Sequence, residues 1–113
     1  MPKLVHNGIT LLPDLQIADS FPARAMGLLG QRGLPAGRGL LIRPCRSIHT
    51  WFMRFPLDVI FLDKDWRIVK VVLNLNPWGL AWGGPGAVAV VEVQSGWLPP
   101  LQPGETLTVE STA

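Results

Sequence analysis

The sequence has too few cysteines to be stabilised by disulfides or by a cysteine-bound metal, as many small proteins are. Its 113 residues include a single cysteine, Cys45, which excludes an internal disulfide and a paired-cysteine zinc or redox motif. No apolar run approaches the roughly 18 residues of a membrane span, and the N-terminus lacks the apolar region of a signal peptide. We therefore expect one soluble domain, residues 1–113, with no metal or cofactor motif. A cytoplasmic location fits best, but a periplasmic or secreted one stays open, because a processed precursor would look similar.

Charged residues are also scarce, at 16% against 48% hydrophobic residues, a balance that excludes a disordered chain. Basic residues are absent after Lys70, whereas the segment between Asp19 and Asp58 contains arginines and no acid. The arginines are Arg24, Arg32, Arg38, Arg43, Arg46 and Arg54. A segment of one sign can form a positive patch that attracts anionic ligands; the alternative is a set of arginines scattered over a solvated rim.

Turn residues divide the chain into short apolar segments typical of strands. Asn7-Gly8 predicts a type I′ turn in an N-terminal hairpin, and residues 63–65 predict the turn of a second hairpin. The nearly continuous apolar run at 87–93 is typical of a central strand covered on both faces. The Gly-rich stretch from Trp78 to Gly86 has the composition of a loop.

One segment has a helical pattern instead. Ser20 can cap a helix, Pro22 is allowed in its first turn and Gly30 can end it, which predicts one short helix near residues 21–29. The expected fold class is therefore mainly β: an antiparallel β-sandwich or barrel-like fold in a single domain with one short helix.

The segment Met53-x-x-Pro56-Leu57-Asp58-Val59-x-Phe61 carries a specific pattern. With it go Arg24, Gly27-Leu28-Leu29, Arg32, Gly39-Leu40-Leu41, Ile48-His49-Thr50, Pro77, Val91-Glu92-Val93 and Gly96. Over residues 17–110 this set resembles the domain of unknown function 192, a bacterial and archaeal family of small domains. The resemblance implies a compact β-rich fold but no mechanism, since the family's activity, substrate and partners are not established. The chain departs from the family by reading Trp51-Phe52-Met53 for Phe-Trp-Met, and Gly104-Glu105 for Gly-Asp.

Two acidic residues, Asp58 and Glu92, lie in apolar segments where a charged side chain needs a partner or a function. Asp58 follows Pro56 at the start of a strand, where it can accept backbone N–H groups of the tight 55–57 turn, pair with an arginine, or act as a site acid. Glu92 interrupts the most apolar strand, where an unpaired carboxylate would be costly. We expect Glu92 to form a buried or half-buried ion pair with Arg24; the alternatives are a ligand-facing acid and an acid exposed on an edge strand.

The aromatic residues offer a second kind of site. Five tryptophans and no tyrosine are present, and Trp78 and Trp82 stand in the Gly-rich stretch, where their indoles could form a mobile, ligand-facing rim or fold back as a lid on the core. Cys45 and His49 could form a nucleophilic pair with Asp58 as orienter, but nothing indicates a lowered thiol pKa, and a buried cysteine with a hydrogen-bonded histidine is the simpler interpretation.

These residues support three functions. The first is a noncatalytic binding module for a polar small molecule or a partner peptide. Its site would be formed by Arg24, His49, Trp51, Met53, Asp58, Trp78, Trp82 and Glu92. The second is a hydrolase or transferase that uses Asp58, Glu92 and His49 as acid and base. The third is single-stranded nucleic-acid binding, which the acids of the C-terminal third disfavour.

Overall fold

The structure is a computed structural model, and it describes residues 2–18, 34–51 and 53–111. Ten strands lie in these ranges. They are β1 Pro2–His6, β2 Ile9–Leu12, β3 Asp14–Ala18, β4 Arg38–Ile42, β5 Ser47–His49, β6 Leu57–Leu62, β7 Ile68–Leu75, β8 Leu80–Trp82, β9 Ala89–Gln94 and β10 Thr108–Ser111. The mainly β fold class is thus confirmed. The predicted helix near 21–29 lies outside the described residues.

The strands form three sheets, in the orders β10-β1-β2, β3-β4-β9-β6-β7 and β5-β8. Both predicted hairpins are present: Asn7 and Gly8 adopt positive φ angles of 51° and 77° between β1 and β2, and β6 pairs with β7 in antiparallel register. The expectation of a wholly antiparallel fold is wrong at one place, because β3 pairs with β4 in parallel. Residues 19–37 between them are long enough for the crossover that a parallel pair requires.

The five-stranded sheet is covered on both faces. Its central strands β6 and β9 are buried along almost their whole length, as the apolar run at 87–93 predicts. One face carries Leu41, Ile60 and Val91 and packs on Leu4 and Leu12 of the three-stranded sheet. The other face, called here the ribbon face, carries Leu40, Val59 and Phe61 and packs beneath Ile48 and Ala81 of the β5–β8 ribbon. The molecule is therefore a stack of three β layers.

Strand β8 corrects the interpretation of residues 78–86 as a loop. Leu80–Trp82 pairs with Ser47–His49, so Trp82 lies in a strand rather than in a Gly-rich rim. The short strand has a glycine on each side, and both glycines are needed for close packing. A Cβ on Gly79 would lie 2.8 Å from Leu75 Cδ1, and a Cβ on Gly83 would lie 2.4 Å from Phe61 Cδ1. The absence of a side chain at these two positions lets the ribbon pack closely on the sheet.

Candidate functional site

The outer surface of the β5–β8 ribbon is apolar and open to solvent. Because side chains alternate along a strand, the pairs Ser47↔Trp82 and His49↔Leu80 face one way and the pair Ile48↔Ala81 faces the other. Ile48 and Ala81 are buried in the core, so the other two pairs point outward. Leu80 is 71% exposed and Trp82 is 56% exposed. Side chains of this size are normally buried, and the exposed pair marks the ribbon as a candidate interaction surface.

Two more tryptophans extend this surface beyond the strands. Trp51 follows β5, is 48% exposed and lies with its ring centroid 4.8 Å from that of the exposed His49, in a tilted contact of 33°. Trp78 precedes β8 and is 62% exposed. Together His49, Trp51, Trp78, Leu80 and Trp82 form what we call the aromatic surface. The exposed parts of its rings and of its leucine offer contact area to a ligand.

Thr50 fixes the backbone on which the aromatic surface is built. Its side chain is completely buried; Oγ1 donates to the carbonyl of Asn76 at 2.6 Å and accepts the N–H of Gly79 at 2.7 Å. The backbone of Thr50 adds a bond from its N–H to the Gly79 carbonyl, and its own carbonyl accepts the N–H groups of Met53 and Trp78. One buried threonine thus joins the segments that carry Trp51 and Trp78.

Asp58 has a structural role on the face of the five-stranded sheet that points away from the ribbon. Its carboxylate is 3% exposed; Oδ1 accepts the N–H of Asn74 at 2.8 Å and Oδ2 accepts the N–H of Gly96 at 3.0 Å. Both partners have positive φ angles, 56° and 91°, so the carboxylate fixes two tight turns at once. The interpretation of Asp58 as a carboxylate that holds turns is confirmed, although its partners belong to turns after β7 and β9 rather than to the 55–57 turn.

Glu92 is buried within the ribbon face, 6% exposed, directly between Leu40 and Val59 on the neighbouring strands. Within residues 2–18, 34–51 and 53–111, no side chain forms an ion pair or a hydrogen bond with its carboxyl group. Burial raises the pKa of Glu92 from 4.5 to about 7. Arg24, the predicted partner, lies outside the described residues, so that pair stays a prediction.

Asp58 and Glu92 cannot act on one substrate, because they project from opposite faces of the five-stranded sheet. Asp58 pairs with Val93, whereas Glu92 pairs with Val59, and directly paired residues share a face. A catalytic acid and base must converge within hydrogen-bond reach of the same atoms. The proposed acid and base set of Asp58, Glu92 and His49 therefore does not converge.

The remaining predicted residues divide between the core and its edge. Met53 is buried beneath the ribbon, at 8% exposure, and belongs to the core rather than to a surface site. Cys45 is half-buried, and its Sγ donates to the carbonyl of Ser47 at 3.1 Å rather than to His49. In the part of the chain that the structure describes, no group of three His, Cys, Asp or Glu residues could hold a metal ion. The described residues contain no helical segment with the length and hydrophobicity of a membrane span.

The family model of domain of unknown function 192 (DUF192), described as "Uncharacterized ACR", matches residues 4–109. The chain belongs to the DUF192 family. The match confirms the resemblance seen in the sequence and extends it to the N-terminal hairpin. It brings no activity, because the family is uncharacterised.

Two similar curated proteins come from archaea. The UPF0127 protein PH1112 of Pyrococcus horikoshii is 41% identical over 70 residues, which are 58% of this chain and 58% of that protein. The UPF0127 protein PYRAB11210 of Pyrococcus abyssi is 34% identical over 83 residues, 69% of this chain and 68% of that protein. The first alignment thus spans less than two thirds of the archaeal protein.

Two solved structures share the fold. A protein of unknown function from Novosphingobium aromaticivorans superposes with a TM-score of 0.76 at 18% identity, over 95% of this chain and 82% of the other. A candidate transcription regulator from Sinorhizobium meliloti gives the same TM-score and identity over 96% and 91% of the two chains. At this identity the likeness concerns the fold alone.

The sequence did not predict the roles of two residues at the aromatic surface, Leu80 and Thr50. Leu80, its most exposed member, had no signal of its own, because its neighbours Gly79 and Gly83 indicate a loop. Thr50 stood in the family pattern as part of Ile48-His49-Thr50, and that pattern was the only sign of its role. The pairing of β5 with β8, which was not predicted from the sequence, turns Leu80 outward and brings Thr50 next to the segment before β8.

Proposed function

We propose that this DUF192 chain is a noncatalytic binding module whose ligand docks on the aromatic surface. The observation that carries the proposal is the set of three tryptophans and one leucine, each about half exposed or more, on one ribbon or directly beside its strands. Large apolar side chains that stay exposed and lie together are typical of an interaction site. Each aromatic ring that a ligand covers contributes both buried area and a specific stacking geometry.

The shape of the ribbon bears on the kind of ligand. Leu80 and Trp82 stand on a two-stranded surface rather than inside a cavity, so a ligand would be held by contact with exposed faces. Rings of a polar small molecule or side chains of a partner peptide meet this requirement. His49, next to Trp51, adds a polar group that can donate or accept a hydrogen bond.

A ligand screen with matched variants tests the proposal. The protein would be screened by thermal shift against metabolites, sugars and short peptides, since a ligand at 100 times its dissociation constant adds about 2.7 kcal/mol of stability. Each ligand found would be tested by calorimetry on Trp82→Ala and Trp51→Ala. The control is Ile9→Ala, because Ile9 is 69% exposed but lies on β2 of the three-stranded sheet.

Both tryptophan variants should fold with stability close to that of the parent chain, because exposed substitutions usually change it by about 0.5 kcal/mol or less. They should bind the ligand at least about 5-fold more weakly, equivalent to about 1 kcal/mol of stacking, whereas Ile9→Ala should bind as the parent does. Ligands that bind all three variants equally would contradict the proposal, and so would a protein that binds no probe of any class.

A further inference from the structure

Three cations around the aromatic surface have no acidic partner among the residues that the structure describes. Arg46 directly precedes β5, and its carbonyl accepts the N–H of Gly83 at 2.8 Å, next to Trp82. Lys70 reaches the same end from β7, and its Nζ donates to the Trp82 carbonyl at 3.0 Å. Arg54 follows Trp51 at the other end. All three are exposed, and in the described ranges no carboxylate lies within 4.0 Å of any of them.

The acids that counted against an anionic ligand in the sequence occupy other places in the fold. Glu92 is buried in the ribbon face, Glu105 contacts His6, and Glu110 lies on β10 of the three-stranded sheet. Asp63 uses Oδ1 to accept the N–H groups of Asp65 and Arg67 in the β6–β7 turn. Among the described residues, the chain segments around the tryptophans therefore carry Arg46, Arg54 and Lys70 but none of these acids, although the C-terminal third of the chain is acidic.

We infer that the aromatic surface takes single-stranded nucleic acid, with bases stacked on the indoles and phosphates beside Arg46, Arg54 and Lys70. The inference rests on the proposed function and names the class of ligand. Stacking needs bases whose faces are free, which single strands offer and duplexes do not. Cations placed at both ends of a row of rings can follow a phosphodiester backbone across it. An acidic peptide would meet the same charges but has fewer flat rings for three indoles.

The test uses the full chain and a fluorescein-labelled oligo-dT of 15 nucleotides, followed by anisotropy and by quenching of tryptophan fluorescence. Three neutralised phosphates predict that log K falls with log salt with a slope of about −2, or roughly 20-fold between 50 and 200 mM. Trp82→Ala should weaken binding roughly 5- to 150-fold, the range for one stacked base. Lys70→Gln should reduce the slope by about 0.7.

Two controls match these variants in chemistry but not in place. Lys64→Gln removes the same charge from the exposed β6–β7 turn, and Ile9→Ala removes an exposed apolar side chain from β2. Both should keep the affinity and the salt slope of the parent chain. Circular dichroism of every variant would establish that it is folded.

The inference is wrong if no anisotropy change occurs at 50 mM salt with protein up to about 1 mM, well above the usual range for nonspecific binding. It is equally wrong if binding occurs but Trp82→Ala leaves it unchanged. If oligo-dT fails while a sugar or an acidic peptide binds and depends on Trp82, the ligand class is refuted and the proposed function stands. If no probe of any class binds, both fail.

Discussion

Ionisation of Glu92 should make the fold less stable as pH rises. The carboxyl group is buried in β9 between Leu40 and Val59, and burial raises its pKa from 4.5 to about 7. Between these two values the folded state keeps a proton that the unfolded chain has released, so the free energy of unfolding decreases as pH rises. The decrease is about 1.4 kcal/mol per pH unit, or about 3 kcal/mol in all. Below pH 4.5 the contribution vanishes, because both states are protonated.

The substitution Glu92→Gln isolates this contribution, since it removes the titration and keeps the size of the side chain. Parent and variant should have similar free energies of unfolding at pH 4, and the variant should be more stable by about 3 kcal/mol at pH 8. Urea unfolding followed by circular dichroism at pH 4, 6 and 8 gives the difference directly. The control is Glu110→Gln, an exposed acid on β10, whose difference from the parent should not change with pH.

The predicted ion pair with Arg24 has the opposite consequence. A cation beside Glu92 would favour the ionised form, so Glu92→Gln would leave a buried charge unpaired and destabilise the protein by roughly 3 kcal/mol at pH 8. The sign of the difference at pH 8 therefore decides between a neutral buried acid and a buried pair. A difference that stays constant from pH 4 to pH 8 would refute the neutral-acid argument.

Three further substitutions test the packing that positions the aromatic surface, each by urea unfolding. Asp58→Asn keeps one acceptor oxygen and turns an NH₂ group toward a backbone N–H, so it should cost about 2 kcal/mol; an unchanged midpoint would show that the carboxylate does not fix the turns. Gly83→Ala should cost about 1–3 kcal/mol by overpacking, whereas Gly86→Ala, with nothing within 4 Å of its Cβ, should be neutral; equal losses would contradict the close-contact explanation. Thr50→Val should cost about 1–3 kcal/mol, because the buried hydroxyl loses its two hydrogen bonds and leaves the Gly79 N–H and the Asn76 carbonyl only their own longer bond of 3.2 Å; a neutral result would exclude Thr50 as the anchor.

Local chemistry made part of the fold predictable. Asn7 and Gly8 do adopt the positive φ angles that a type I′ turn requires, because few other residues tolerate them. The apolar run at 87–93 contains the buried strand β9, since a strand covered on both faces has no polar side to show. Asp58 was expected to hold turns, and it does so through two backbone N–H groups.

Long-range pairing was not predictable in the same way. β3 and β4 are parallel, and nothing in the apolar pattern of either strand distinguishes a parallel from an antiparallel neighbour. β8 has three residues between two glycines, so its composition indicates a loop, and only its pairing with β5 makes it a strand. The same pairing turns Leu80 and Trp82 outward. The candidate site was therefore recognised through its tryptophans, but its surface could not be assembled from the sequence.

The geometry also explains why the family pattern gives so little information about function. Asp58 and Gly96 belong to that pattern, and the Asp58 carboxylate accepts a hydrogen bond from the Gly96 N–H. Thr50 also belongs to it, and its hydroxyl fixes the backbone beside the ribbon. These are demands of the fold, which any member with these turns must meet whatever it binds. Trp51 is different: it is exposed beside His49, at a position where the family usually reads phenylalanine. Because the larger indole offers more stacking area to a ligand, the binding properties of this chain must be measured on this chain rather than transferred from relatives that share its turns.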